Sequence, residues 1–253
     1  MKKTILSAKG LCKSFAHNGG QNHILSNIDL ELYEGDFTVI MGASGSGKST
    51  LLYALSGMDR ASAGEVMYGD ADIVKMKEKE LAGLRHTDFG FIFQQMHLVG
   101  NLTLFENVAV PGYLNKENSA SQVKARAREL FEYMNISDVK DHLPSQVSGG
   151  EQQRCAIARA VINSPKVIFA DEPTGALNRA NTSEVLNLLT KLNGDGQSIL
   201  MVTHDMRAAL RATRLLYLED GRITGELTLP AFDAQEEKSR ETQVNAWLTS
   251  MEW

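Results

Sequence analysis

The chain of 253 residues carries 26 lysines and arginines against 31 aspartates and glutamates, a net charge of −5, with 43% hydrophobic residues and two cysteines. That length holds one large α/β domain or a core with a subdomain, and an acidic balance without a basic run argues against a nucleic-acid partner. No apolar stretch approaches the roughly 20 residues that span a bilayer, and Lys9 and Lys13 break the apolar core that a signal peptide needs, so none is expected.

Cys12 and Cys155 stand outside any metal-ligand spacing and read as small buried thiols in a reducing cytosol. Residues 5–32 alternate apolar and polar positions around Gly19-Gly20, which predicts an antiparallel hairpin. Phe37-Thr38-Val39-Ile40-Met41 is a buried strand running into Gly42, and 48–56 continues as a helix with Leu51, Leu52 and Leu55 on one face. Residues 65–68 form the next strand, 77–84 a short charged helix, and 89–93 a strand ending at Gln94-Gln95. Thr103-Leu104-Phe105-Glu106 has capping-box spacing, and 121–134 places Val123, Ala127, Leu130, Phe131 and Met134 on one helical stripe. The span from about 96 to 163 therefore reads as an inserted helical subdomain.

Val167-Ile168-Phe169-Ala170 is another buried strand, closed by Asp171-Glu172-Pro173. A helix over 183–192 leads to the strand 198–202, which ends at Thr203-His204-Asp205. Residues 214–218 and 223–229 form a hairpin about Asp220-Gly221. These elements make a single domain over 1–230. From 231 to 253 a second capping-box spacing, Asp233-x-x-Glu236, precedes Val244, Trp247, Leu248 and Met251, predicting an amphipathic helical tail packed on the body.

Gly42-Ala43-Ser44-Gly45-Ser46-Gly47-Lys48-Ser49-Thr50 fits G-x-x-x-x-G-K-[ST], a loop whose backbone N–H groups cradle phosphates while the lysine reaches the terminal ones. The Ser49 hydroxyl would ligate Mg²⁺. Asp171, ending an apolar strand, is placed to hold the same metal, Glu172 to polarise water, and His204 to join them at the edge where open α/β sheets bind ligands. Ser148-Gly149-Gly150-Glu151 opens a helix and so forms a second anion-seeking N-terminus. Asn115-Lys116-Glu117-Asn118 lacks the carboxylate of a guanine-reading box, so adenine is the expected base, with Phe15 a candidate to stack on it.

Taken in order these segments resemble the ATP-binding-cassette (ABC) ATPases across nearly the whole chain. Gly42 to Thr50 matches the Walker A loop, Gln94 the Q-loop, Ser148-Gly149-Gly150-Glu151-Gln152 the signature, Ile168 to Glu172 Walker B, His204 the H-loop and Phe15 the aromatic A-loop. Met41-Gly42-Ala43-Ser44-Gly45-Ser46-Gly47, Phe91-Ile92-Phe93-Gln94 and Ala170-Asp171-Glu172-Pro173-Thr174-Gly175-Ala176-Leu177 look like the macrolide-export and lipoprotein-release subfamily. Met76-Lys77-Glu78-Lys79-Glu80-Leu81 and the Thr-Gly-Ala-Leu run are most similar to bacitracin-type antimicrobial-peptide transporter ATPases. Asn178 stands where the family's D-loop has aspartate, keeping the shape and losing the charge.

The resemblance implies an α/β P-loop NTPase core with a mixed central sheet, an antiparallel β portion and an inserted helical subdomain. It implies ATP and Mg²⁺ (ligands Ser49, Gln94 and Asp171), a homodimer in the ATP-bound state, and a separate membrane permease that keeps the chain on the inner, cytoplasmic face of the membrane. Each ATP would then lie between one copy's Lys48 loop and the other copy's Ser148-Gly149-Gly150 turn. Glu172, His204 and Gln94 would carry the hydrolysis, and Asn178 would sit at the shared interface. A lipoprotein-release or cell-division ATPase acting on a membrane partner is the alternative. A cassette acting on DNA or ribosomes would typically bring a long coiled-coil insertion or a second cassette.

Overall fold

In the computed structural model, which describes residues 2–17 and 20–253, the chain begins with β1 (Thr4–His17), β2 (Gly20–Tyr33), β3 (Phe37–Met41) and α1 (Lys48–Leu55). It continues through β4 (Ala63–Tyr68), β5 (Ala71–Asp72), α2 (Glu78–Thr87) and β6 (Phe89–Phe93) to three longer helices, α3 (Leu104–Leu114), α4 (Ala120–Tyr133) and α5 (Gly149–Val161). Then come β7 (Val167–Asp171), α6 (Arg179–Gly194), β8 (Ser198–Val202), α7 (Met206–Ala209), β9 (Arg214–Glu219), β10 (Arg222–Thr228) and α8 (Glu237–Ser250). Among the described residues no helix is long and apolar enough to cross a membrane. The chain divides into two units, residues 1–81 with 192–253, and residues 82–191.

The first unit holds an antiparallel sheet in the order β2-β1-β4-β5 and a run of strands β10-β9-β3-β8. The expected hairpin is present as the β1–β2 pair, from Thr4 opposite Tyr33 to His17 opposite Gly20; Gly19 of its turn lies outside the described residues. β3 is parallel to both β8 and β9, and β10 returns antiparallel to β9, so this sheet is mixed. Every residue of β3 and β8 is buried, as a parallel strand covered on both faces requires. That is why both read from sequence as unbroken apolar runs. The α/β class with an antiparallel portion is the class expected from sequence.

α8 packs in this unit through Val244 and Leu248, with Trp247 edge-on to Tyr217. Gly225 on β10 admits it, since a side chain there would collide with Met251 and crowd Trp247. The Asp233-x-x-Glu236 box does not form. Asp233 instead accepts the Gln235 N–H at 2.8 Å to start a 3-10 turn, and α8 begins one residue after Glu236. A short turn places the second residue, not the third, within reach of the capping carboxylate.

In the second unit β6 and β7 run parallel, and α3, α4 and α5 each start on a capping box: Thr103 with Glu106, Ser119 with Gln122, Ser148 with Glu151. The predicted stripe of α4 is buried at Val123, Ala127, Leu130 and Phe131. Cys155 on α5 is fully buried and donates to the Leu104 carbonyl at 3.5 Å, while Cys12 in the first unit is half-buried rather than buried and accepts the Asn27 N–H at 3.3 Å.

Burial pushes the Cys155 thiol up to about 12, so almost none of it is thiolate at neutral pH. We expect iodoacetamide to modify Cys155 in the native protein only as fast as the protein unfolds. Peptide mass spectrometry over a labelling time course checks this, and prompt modification would contradict the burial.

Candidate active site

The phosphate loop leaves the end of β3, whose strand neighbours fix its direction. Gly47 adopts φ 102°, a left-handed conformation that lets the chain turn straight into α1. The first turn of that helix, Lys48-Ser49-Thr50-Leu51, brings a cation and two hydroxyls to a helix N-terminus and has no acidic residue of its own. Lys48 is only 8% exposed, and its Nζ donates to the carbonyls of Gly42 at 2.8 Å and Ala43 at 2.9 Å. The Ser46 hydroxyl is buried with no hydrogen-bond partner among the described residues, while Ser44 and Gly45 are exposed at the tip. A buried cation, an orphaned hydroxyl and a helix N-terminus together fit a polyphosphate.

Two further predicted residues belong to the same unit. The Thr203 N–H donates to the Ile40 carbonyl of β3 at 3.1 Å, so the exposed His204 leaves the parallel pair at the same end as Gly42. Phe15 is 45% exposed on β1, and Lys13 Nζ lies 4.7 Å from its ring centroid. Lys13 is itself fixed by Asp59 Oδ1 at 2.6 Å and the Arg60 carbonyl at 2.7 Å. It therefore covers one side of the ring by a cation–π contact. Lys13 and Phe15 stand two residues apart on β1, a spacing visible in the sequence.

In the second unit Phe93 pairs with Asp171, so Gln94 and Glu172 leave β6 and β7 at the same end. Asp171 is buried, and Glu172 takes φ 45°, a left-handed backbone rare outside glycine. A strained backbone at a candidate catalytic carboxylate costs about 1–3 kcal/mol and marks a position that the surrounding fold imposes. The Gln94 side chain lies against Gly175, where a Cβ would come within 2.8 Å of Gln94 Nε2. Among the described residues no three His, Cys, Asp or Glu side chains could together hold a metal. Mg²⁺ suits such a site, because it binds through one or two carboxylates and substrate phosphates, with several waters retained.

Ser148 is the N-cap of α5, accepting the Glu151 N–H at 3.3 Å, while its own N–H and hydroxyl both donate to Glu151 Oε2 at 2.7 Å. Gly150 is needed for close packing as well as for access, since a Cβ there would lie 2.5 Å from Asn181 Cγ. Asn178 Oδ1 accepts the Asn181 N–H at 3.0 Å, three residues on, and so caps α6. Asparagine and aspartate cap equally well, so the departure at Asn178 leaves this turn intact. Gln153, fully buried, donates to the Phe93 carbonyl at 3.4 Å and ties α5 to the residue before Gln94. Neither Asn181 nor Gln153 carried a sequence signal, because their roles arise from contacts between distant segments.

A family model described as "ABC transporter" matches residues 25–175. Among curated relatives, the macrolide export ATP-binding/permease protein MacB 1/2 of Paracoccus denitrificans (strain Pd 1222) is 42% identical over 222 residues, 88% of this chain. This chain corresponds to 33% of that relative's length. Among solved structures, the dimeric ATP-binding cassette MJ0796 in a post-hydrolysis state bound to ADP and Pi is 37% identical with a TM-score of 0.83, over 90% of this chain and all of that one. A second dimeric structure of MJ0796, described as a bacterial ABC transporter cassette, matches with the same identity, TM-score and coverage.

The hydroxyl and N–H of Ser148 hold the Glu151 carboxyl below its ordinary value of 4.5. A carboxyl depressed in the folded state stabilises the fold fully above its unfolded value, and that contribution is lost as pH falls through the folded one. Amide-exchange protection of the Ser148 N–H is therefore expected to hold above pH 4.5 and to collapse in stronger acid. Glu151→Gln, which keeps the cap without the titration, should show no such step. An identical acid step in the variant would remove Glu151 as its cause.

Proposed function

Because this chain belongs to the ABC transporter family of ATP-hydrolysing, Mg²⁺-using cassettes, we propose that it powers a separate membrane permease, with export of an antimicrobial peptide of bacitracin type as its task. One observation carries the energy-coupling half of this reading. The chain holds two helix N-termini suited to phosphate, the Lys48 loop and the Ser148 turn, and one nucleotide occupies one phosphate loop. Two copies arranged head to tail use all four. The peptide substrate is supported by the run Met76-Lys77-Glu78-Lys79-Glu80-Leu81 and by Thr174-Gly175-Ala176-Leu177. The cassette spans 1–230 with its helical insertion at about 96–163 and a helical tail over 231–253. It works on the cytoplasmic face of the membrane, held there by its permease.

In this mechanism Phe15 stacks on adenine, and the N–H groups of 45–50, with Lys48, bind the β- and γ-phosphates. Ser49, Asp171 and Gln94 would hold Mg²⁺. When bound, that ion neutralises charge on the phosphate oxygens. Glu172 orients or deprotonates the attacking water, and His204 contacts the γ-phosphate. From the partner copy, Ser148 and the start of α5 stabilise the charge of the transition state. Gln94, resting on Gly175, carries the state of the site to the segment that meets the permease. Hydrolysis and phosphate release then open the pair.

Glu172→Gln is expected to lower turnover by roughly 10²–10⁴, about 3–5 kcal/mol of barrier, and to trap an ATP-bound dimer. Steady-state phosphate release and size-exclusion chromatography with ATP check both. Unchanged turnover would remove Glu172 from the chemistry. Co-purification with the permease, followed by bacitracin-type peptide and macrolide challenge of cells lacking the chain, tests the substrate. Protection from macrolides alone would overturn the peptide assignment.

A further inference from the structure

The segment that carries His204 is held at its far end by the C-terminal helix. Asp205 caps α7 by accepting the Arg207 N–H at 2.9 Å, and the turn after α7 presents the carbonyls of Leu210 and Ala212. Arg240, on the first turns of α8, is only 5% exposed. Its Nε donates to the Leu210 carbonyl at 2.6 Å, and its two terminal nitrogens donate to Ala212 and to Pro230, the latter at 3.0 Å. The Phe232 ring centroid is 4.0 Å from the Arg211 guanidinium and 5.8 Å from that of Arg240. The same segment is joined to the phosphate-loop strand twice. The Thr203 N–H donates to Ile40 at 3.1 Å, and Thr213 exchanges hydrogen bonds with Phe37, its N–H donating at 2.9 Å and its hydroxyl accepting at 2.9 Å.

A buried arginine is uncommon because desolvating its charge is costly unless every donor is used. Anchoring α8 would need only an apolar side chain beside Val244 and Leu248. A guanidinium does something an apolar side chain cannot, which is to fix where three particular carbonyls stand. Two of those carbonyls belong to the turn that follows α7, so the path of the chain from His204 onward is set by a residue about 35 positions later. We propose that Arg240 is a positioning residue for His204, so that α8 governs the rate of hydrolysis without touching nucleotide. The proposal rests on the reading of His204 as the γ-phosphate contact.

The test uses the full chain with ATP and Mg²⁺ and compares Arg240→Ala, Arg240→Lys and His204→Ala. Arg240→Ala should lower kcat by roughly 10- to 100-fold, the scale of a small misplacement of a catalytic group, with KM for ATP within about twofold. Hydrogen exchange should speed up over 205–212 and stay unchanged over 48–55. Arg240→Lys keeps the cation with fewer donors and should recover part of the rate, and it carries the test if the alanine variant does not fold. A kcat that stays at the wild-type level in both Arg240 variants while His204→Ala abolishes turnover would overturn the positioning role alone. Full turnover in His204→Ala would remove the His204 reading, and the proposal with it.

Discussion

A buried ammonium has to be hydrogen-bonded, and Lys48 meets that demand with the carbonyls of its own loop. Those two bonds close the loop around a cation. In the proposed cycle, phosphate oxygens meet a cation that the loop itself holds in position. The rest of the first unit serves that arrangement. β3 is buried on both faces between β8 and β9, which gives the loop a rigid base. Thr203 and Thr213 tie the His204 segment to the two ends of the same strand.

The Ser148 turn has the opposite charge logic. Its resident partner is a carboxylate, Glu151, which takes both the N–H and the hydroxyl of Ser148. An anion approaching this turn alone would be repelled by Glu151 and would have to displace it. A phosphate whose charge is already offset by Lys48 and a metal ion meets a smaller penalty. The two turns therefore impose an order in the proposed cycle, nucleotide on the Lys48 loop first and the partner's Ser148 turn second. That order explains why one chain can carry both turns without binding two nucleotides.

Much of this was legible in the amino-acid sequence. β3, β6 and β8 are legible at their observed bounds as apolar runs, and in β3 and β8 the run reflects burial of every residue of a parallel strand. α4 was legible from its stripe, and the heads of α3 and α5 from residues that cap them. α6 was read four residues late because Arg179-Ala180-Asn181-Thr182 looks like loop until Asn178 is seen as its cap. Arg240 escaped because a charged residue on an amphipathic helix reads as solvent-facing, and only the distant carbonyls of Leu210, Ala212 and Pro230 make it a buried one. The left-handed turn at Glu172 was equally invisible, since a non-glycine residue gives no local sign of positive φ. Residue types announced the chemistry, whereas the contacts that aim it came from segments far apart in the chain.

In the proposed cycle the Lys48 loop of one copy and the Ser148 turn of another complete a single ATP site. Mixed dimers test it most directly. Lys48→Ala and Ser148→Arg chains are each prepared as inactive proteins, then combined and assayed for phosphate release with ATP and Mg²⁺. In a mixed dimer one site loses both halves and the other keeps both, so turnover is expected to reappear on mixing and to rise with the fraction of mixed dimer. A mixture that forms mixed dimers yet stays as inactive as its components would contradict it.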